Sequence, residues 1–453
     1  MNQRVAVVGA GPVGTLLAIM LARRGYRVDL LEARTDSRIH DVYEGRSINI
    51  ALSERGWRAL EHVQADAAVR ARSLPMFARA MHSVEGEITR QPYGQEGQAI
   101  WSVSRAAVNE VLLNIADAEA SITVHFEAVL AGVDSDENRA HFTRPEDTDL
   151  HIDFDYLFGA DGANSKVRQL LAEPAGAKVD VRKMGHSYLE LNMPALPGAQ
   201  HAIARDALHI WPRGNYMLIA LPNPDGSMTA TAFLPDDGEN SFASLTTESK
   251  IQDFLHRNFS DAVPLMEQPV QRFAKTRPSF LALASVSEWV FDQRAILIGD
   301  AAHAIVPFYG QGLNCGFEDC QTFAELLDQH ADDWSVVMPA YQDARKPNAD
   351  ALSILAMRNF REMSELSGRE QFLLQKRIER DFHRAHPQLW APLYSQVTFL
   401  PEVSYQQALA GGDEQQAIMD QIMALPFVAD PDRYAQVQQS LLDLVSDRPK
   451  LSR

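Results

Sequence analysis

The hexapeptide Gly9-Ala10-Gly11-Pro12-Val13-Gly14 has the spacing of a turn that cradles phosphate. In such a turn the first glycine permits the tight bend. The second lets the main chain approach a pyrophosphate, and the third allows a helix to pack closely on a strand. A helix that opens there offers free amide groups and the positive end of its dipole. Glu32 follows Gly14 by 18 residues, where a carboxylate can accept hydrogen bonds from the ribose hydroxyls of an adenosine half. The glycine spacing alone recurs by chance. After a strand, before a helix and followed by this acid, it specifies a dinucleotide site. It does not separate NAD from FAD.

These residues need particular elements around them. Arg4 to Val8 is a short run of β-branched and small apolar residues, suited to a strand buried on both faces of a parallel sheet. Thr15 to Arg24 predicts a helix stopped by Gly25, and Tyr26 to Leu31 a second strand, completing a βαβ unit. Farther on, Trp57 to Val69 and Arg105 to Ala116 have helical periodicity. Ile122 to Phe126, Asp155 to Phe158 and Ala295 to Ile298 read as strands. His209 to Trp211, Tyr216 to Leu221 and Met228 to Leu234 read as antiparallel strands separated by Pro- and Gly-rich turns. Beyond Phe317 the chain reads as helical, including Ile354 to Arg380. The expected class is α/β. A Rossmann-like nucleotide-binding domain (residues 1–72, 98–178 and 288–330) is interrupted by an antiparallel-sheet substrate lobe (73–97 and 179–287). A helical C-terminal region (331–453) closes it.

Composition removes several alternatives. The 453 residues carry a formal charge of −18, which repels nucleic acid and anionic lipid at long range. Two cysteines, Cys315 and Cys320, make no disulfide framework and lack zinc spacing, so a reducing cytoplasm is expected. His383 and His386 lie three apart with no ligand cluster around them, and no metal is expected. Val5 to Ala22 is uncharged and mimics a signal peptide or membrane span, but three glycines and a proline interrupt it. The end, Pro449-Lys450-Leu451-Ser452-Arg453, offers no anchor.

Two later segments narrow the cofactor. Gly159-Ala160-Asp161-Gly162-Ala163-Asn164-Ser165-Lys166-Val167-Arg168 resembles the Asp-Gly motif of class A flavoprotein monooxygenases. Ile298-Gly299-Asp300-Ala301-Ala302-His303, with Pro307 after it, resembles their Gly-Asp motif. The resemblance implies bound FAD within the Rossmann-like domain, NADPH as a transient co-substrate and molecular oxygen. From residues alone, Asp300 is equally a helix N-cap or an acceptor for ribityl hydroxyls, and Asp161 suits an ordinary turn. Gly310-Gln311-Gly312-Leu313-Asn314 opens a helix whose amides could stabilise negative charge on a reduced flavin. The resemblance further assigns Val13, Arg34 and Arg105 to the cofactor, with Ala51 and Leu130 as main-chain contacts. It places Pro307, Phe308 and Tyr309 near the flavin, and assigns no side chain as catalytic.

A narrower resemblance, to the kynurenine-hydroxylating members of that family, rests on five segments. They are Gly45 to Ser53, Gln91 to Gly94, Leu208 to Arg213, Ala304 to Phe308 and Gly316 to Cys320. It implies that L-kynurenine is hydroxylated to 3-hydroxykynurenine through oxygen carried at flavin C4a. It also implies that Arg79 and Tyr93 bind the substrate carboxylate, with polar contacts from Asn359 and Tyr394. Met217, Ile219, Leu221 and Phe233, alternate residues of the strand lobe, would wall the ring. Met363 would share a helical face with Asn359. On residue type alone these read first as a surface charge, a turn tyrosine, a helix-surface amide and plain core. The alternatives are a hydroxylase of another amino-bearing aromatic acid and a non-catalytic flavin-binding protein. The chain departs from eukaryotic members in lacking their hydrophobic C-terminal tail, so no membrane anchor is expected. Monomer and homodimer both remain open.

Overall fold

Val5, Ala6 and Val7 have no exposed surface because Arg4–Val8 is the central strand of a six-stranded sheet. In that sheet the order is Val290–Phe291, Ala295–Leu297, Tyr156–Gly159, Arg4–Val8, Arg27–Leu31 and Ile122–His125. Every pair is parallel except the edge strand Val290–Phe291. In this computed structural model the described residues are 3–39, 49–145, 148–366 and 369–446. Gly45 to Ile48, part of a segment used above, and Pro449 to Arg453 lie outside them.

The helix after the glycine turn spans Pro12–Arg23 and buries Leu16 to Leu21 almost completely. It begins three residues before the expected Thr15 because Pro12, with its fixed φ, suits the first helical turn. It packs between the sheet and the helix Gly312–Gln329. The periodic stretch from Trp57 to Val69 is two helices, Glu54–His62 and Asp66–Arg70, broken where Gln64 takes a left-handed φ of 58°.

A seven-stranded sheet faces this domain, in the order Ser279–Val286, Val179–Met193, Met228–Pro235, Met217–Pro222, Ala207–Pro212, Ala78–His82 and Ile88–Pro92. The expected lobe is purely antiparallel, whereas Ala78–His82 runs parallel to Ala207–Pro212. More than a hundred residues separate these two strands, so no hairpin dictates their direction. Leu74–Met76 joins Asn49–Leu52 and Ile100–Ser104 in a separate three-stranded sheet. Two distinct clusters cover the large sheet's faces. Leu191, Trp211 and Leu218 pack under Ile251, Phe254 and Phe273 on one side. Met217 and Phe233 meet Phe308, Ala356 and Met363 on the other.

The expected single helix from Ile354 to Arg380 is interrupted. The α-helix Trp334–Arg361 passes into a π-helical turn, Glu362–Leu366, and a new helix runs from Glu370 to Ala385. Such turns recur at functional sites. Among the described residues no helix is long and apolar enough to cross a membrane.

Candidate active site

The three glycines of the N-terminal turn are held to different standards by the chain itself. A Cβ on Gly9, whose φ is +109°, would lie 2.4 Å from the carbonyl oxygen of Ala160. One on Gly14 would lie 2.0 Å from the carbonyl oxygen of Gly9. Both positions therefore need glycine to let the turn close on the neighbouring strand and helix. Gly11 differs: its Cβ would meet only the Arg105 guanidinium, at 3.8 Å. Gly11 and Arg105 both line a cavity of about 370 Å³, and Arg105 has no carboxylate partner among the described residues. Bare main chain beside an unpaired cation is what an approaching pyrophosphate requires.

Behind this turn the Glu32 carboxylate accepts from the amides of Ala10 (3.2 Å) and Arg34 (3.1 Å) and from the Arg34 guanidinium (2.8 Å). Arg34, together with Val129 and Arg144, borders a second hollow of about 410 Å³. Leu130 has its side chain in the core and lines neither space.

Asp300 lines the main cavity at the start of the helix Asp300–His303. It is not the N-cap, which is Gly299, and its carboxylate has no partner among the described residues. Of the two readings open in the sequence, the N-cap one is thereby removed. Asp161 is the opposite case. Its carboxylate accepts from the Ser165 hydroxyl and from the amides of Lys166 (2.6 Å) and Val167 (3.1 Å), capping a short helix. Its neighbours Ala160, Gly162 and Ala163, not Asp161 itself, line the cavity.

Gly312 and Leu313 also line the cavity, at the opening of the helix Gly312–Gln329. The side chain of Asn314 faces away and joins three pieces of backbone. It donates to the carbonyls of Ala51 (2.9 Å) and Gly310 (2.8 Å) and accepts from the Ser53 amide (3.0 Å). Asn314 thus sets the distance between the Ala51 strand and the loop at Gly310, which lines the cavity.

Asp319 supports the Gly-Asp segment from below. Its carboxylate accepts from the Gly299 amide (3.2 Å), His303 Nε2 (2.6 Å) and Arg345 Nε (2.7 Å). Burial raises its pKa, but His303 and Arg345 more than reverse this and hold it at about 2. His303, Cys315 and Asp319 offer three potential ligand atoms within 4.8 Å. The Arg345 guanidinium already contacts Asp319 and Cys315, so the positive charge here is a side chain.

The other end of the cavity is aromatic. Tyr394 stacks on Tyr93 (centroids 5.1 Å, 16°) and on Tyr309 (5.4 Å, 11°). The Arg79 guanidinium lies 4.6 Å from the Tyr394 ring centroid and 5.5 Å from that of Tyr93. Arg79 Nε and the Tyr93 hydroxyl are buried and make no well-formed hydrogen bond among the described residues, although Arg79, Tyr93 and Tyr394 lie close enough to influence one another. Burial pushes the phenols of Tyr93 and Tyr309 well up and that of Tyr394 up, so all three remain neutral donors. Burial lowers the Arg79 pKa, but Tyr394, Tyr93 and Glu362 outweigh it and the net direction is upward. A desolvated cation with no carboxylate in contact among the described residues is costly, and an incoming carboxylate would supply that contact.

Ile219, Leu221 and Phe233 wall this end, with Pro307, Phe308 and Met363 opposite. Met217 does not reach the cavity and packs beside its strand partner Phe233. Asn359 does not reach it either. Its amide donates to the Phe308 carbonyl at 2.6 Å and touches Met363 sulfur at 3.3 Å, so it fixes two lining residues. The sequence reading overlooked Thr229 and Thr231, which line the cavity from the Phe233 strand. The same period of two contained them, but their polarity hid them in a search for apolar walls.

Asp300 and Arg105, both without a partner among the described residues, bare Gly11 and the helix start at Gly312 together fit a flavin dinucleotide. The comparisons agree. A family model described as "FAD binding domain" matches residues 2–354. A protein of Flavobacterium johnsoniae named "Kynurenine 3-monooxygenase" is 41% identical over 443 residues, covering 98% of each chain. One of Stenotrophomonas maltophilia with the same name is 42% identical over 410 residues, covering 90% of each. Among solved structures, Pseudomonas aeruginosa PqsL in complex with 2-aminobenzoylacetate aligns with a TM-score of 0.65 at 19% identity, over 81% of this chain and 97% of that one. The tetrameric form of 2-methyl-3-hydroxypyridine-5-carboxylic acid oxygenase gives 0.65 at 20% identity, over 83% and 96%. At those identities the likeness concerns fold alone.

Proposed function

The chain belongs to the kynurenine 3-monooxygenase family of FAD-dependent enzymes, and we propose that it hydroxylates L-kynurenine to 3-hydroxykynurenine. In balance, NADPH, a proton and oxygen enter with kynurenine; NADP, water and the ring-hydroxylated product leave. The observation that carries the substrate is Arg79, a guanidinium with no carboxylate in contact among the described residues, set against stacked tyrosines at the end of an apolar slot.

FAD, when bound, supplies the electron transfer and the oxygen activation. Gly11 and Arg105 would take its pyrophosphate, Glu32 its adenosine ribose, Asp300 its ribityl chain, and the amides at Gly312 and Leu313 its ring. Glu32 and Arg34 would close over the adenosine half, with the main chain near Leu130 behind it. The chain's remaining work is positioning. Arg79 and the Tyr93 hydroxyl would hold the amino-acid carboxylate by charge-assisted hydrogen bonds. Ile219, Leu221 and Phe233 would lie along the aniline ring and keep water from the reacting carbon. That carbon, ortho to the amino group, is already electron-rich, so no strong base is required and fixed orientation does most of the work. A reducing cytoplasm suits Cys315 and Cys320, which are both free and buried.

The test is purified protein with FAD, NADPH and oxygen, with and without kynurenine. Kynurenine should accelerate NADPH oxidation and mass spectrometry should find one added oxygen. Peroxide release without hydroxylated product, or turnover only of another amino-bearing aromatic acid, would refute the assignment.

A further inference from the structure

Arg55 lies in the helix Glu54–His62 and does not line the cavity, yet its side chain has no exposed surface. Its guanidinium makes an unusual set of bonds. Nε donates to the Val397 carbonyl at 2.9 Å, and Nη2 to the carbonyls of Leu400 (3.3 Å) and Val403. Nη1 pairs with Glu318 at 2.6 Å, and the fork lies 4.2 Å from the Tyr405 ring centroid. The carbonyls belong to one place in the fold. Val397 and Leu400 are in, and just after, the helix Leu393–Phe399, and Val403 follows in the next turn.

That helix is seven residues long, too short to be stable by itself in water. Its last carbonyls have no partners within the helix. A cation at a helix C-terminus satisfies them and also opposes the dipole. Tyr394 is the second residue of this helix, and its ring is the middle of the Tyr93–Tyr394–Tyr309 stack against Arg79. A small rotation of the helix would displace that ring. At its other end Arg55 is anchored through Glu318 to the helix Gly312–Gln329, whose first turn lines the cavity. Arg345 holds the second oxygen of Glu318 at 2.7 Å, so the anchor is itself fixed.

We infer that Arg55 is a positioning residue for substrate binding: it caps the helix carrying Tyr394 and ties it to the helix that opens at the flavin. The inference rests on the reading that Tyr394 belongs to the substrate clamp.

The experiment compares wild type, Arg55→Ala and Arg55→Lys as full-length FAD-loaded proteins. Alanine leaves Glu318 with one cation fewer and can fail to fold. Lysine keeps the charge beside Glu318 but cannot fork to several carbonyls. In Arg55→Lys, amide exchange over 393–400 should accelerate about tenfold or more while 4–31 stays protected. The kynurenine dissociation constant should rise about five- to tenfold, with kcat changed less than about twofold and FAD content unaltered. Unchanged exchange over 393–400 overturns the inference whatever the substrate is. Faster exchange with an unchanged dissociation constant also overturns it, leaving Arg55 a structural residue only. If wild type itself binds no kynurenine, the functional reading fails instead, and the exchange data still decide whether Arg55 holds this helix.

Discussion

The two ends of the cavity are built by opposite means. At the end beside the glycine turn the chain withholds side chains: Gly9 and Gly14 let the turn close, Gly11 presents bare main chain to the cavity, and Arg105 and Asp300 stand there without a partner among the described residues. At the substrate end it crowds them in, with three stacked tyrosines and a guanidinium against an apolar wall. Under the proposed function, the first design suits what every flavin dinucleotide shares, phosphate and ribose, and the second would suit one shape. Adding atoms should therefore damage the first end, and removing atoms the second.

The largest expected effect tests the first half of that contrast. Gly9→Ala places a Cβ 2.4 Å from the Ala160 carbonyl oxygen at a φ of +109°. Strain and overpacking together should lower stability by about 3 kcal/mol or more, read as a lower denaturant midpoint and little recovered holoenzyme. Normal stability would mean the turn adapts, and that main-chain closeness is not what the glycine protects. Next in size, Arg79→Ala should weaken kynurenine binding by about 1.5–3 kcal/mol, the range for hydrogen bonds to charged groups, or roughly ten- to a hundred-fold. FAD content should not change. An unaltered dissociation constant in a flavin-absorbance titration removes Arg79 from the clamp.

The same opposition explains what could be read beforehand. The glycine turn is coded locally: Arg4–Val8, the turn and Glu32 fall within about thirty residues, and strand, turn and helix each leave a signature; Arg105 and Asp300 come from far along the chain. The substrate end joins Arg79, Tyr93, Tyr309 and Tyr394 from distant segments, and no periodicity links them. They were legible only through family resemblance. Even there, resemblance could not distinguish a lining residue from one behind it, so Asn359 and Met217 were grouped with true cavity walls. The strand Val179–Met193 left no readable signal. Its first half is exposed and charged, and its pairing shifts between Lys183 and Ser187 around Gly185, which has a φ of 67°. The break after Arg361 was invisible because the residues of a π-turn are ordinary helix formers.

A smaller effect separates two roles within the glycine turn. Gly11 has an ordinary φ of −73°, and its Cβ would meet nothing closer than Arg105 at 3.8 Å. Gly11→Ala should therefore leave the melting temperature of the FAD-free protein nearly unchanged. It should weaken FAD by about 1–3 kcal/mol, the usual penalty of an extra methyl group in a packed contact. Equal damage to FAD-free stability would show that Gly11 serves the fold, as Gly9 does, and not the ligand.

The smallest effect concerns pH and again sets the two ends apart. Beneath the cofactor end, burial lowers the His303 pKa, but Asp319 outweighs it and holds it above its ordinary value. A histidine whose folded pKa is raised contributes stability in full below its unfolded pKa of about 6.5 and loses it as pH rises through the folded value. The denaturant midpoint of wild type should thus exceed that of His303→Gln by more near pH 6 than near pH 9. The substrate end has no such titration in that window. Its phenols are pushed upward by burial and stay neutral, and Arg79 stays charged throughout. Kynurenine affinity should accordingly be flat while stability changes. A midpoint gap that grows with pH would mean that His303 is buried neutral, and that Arg345 alone balances Asp319.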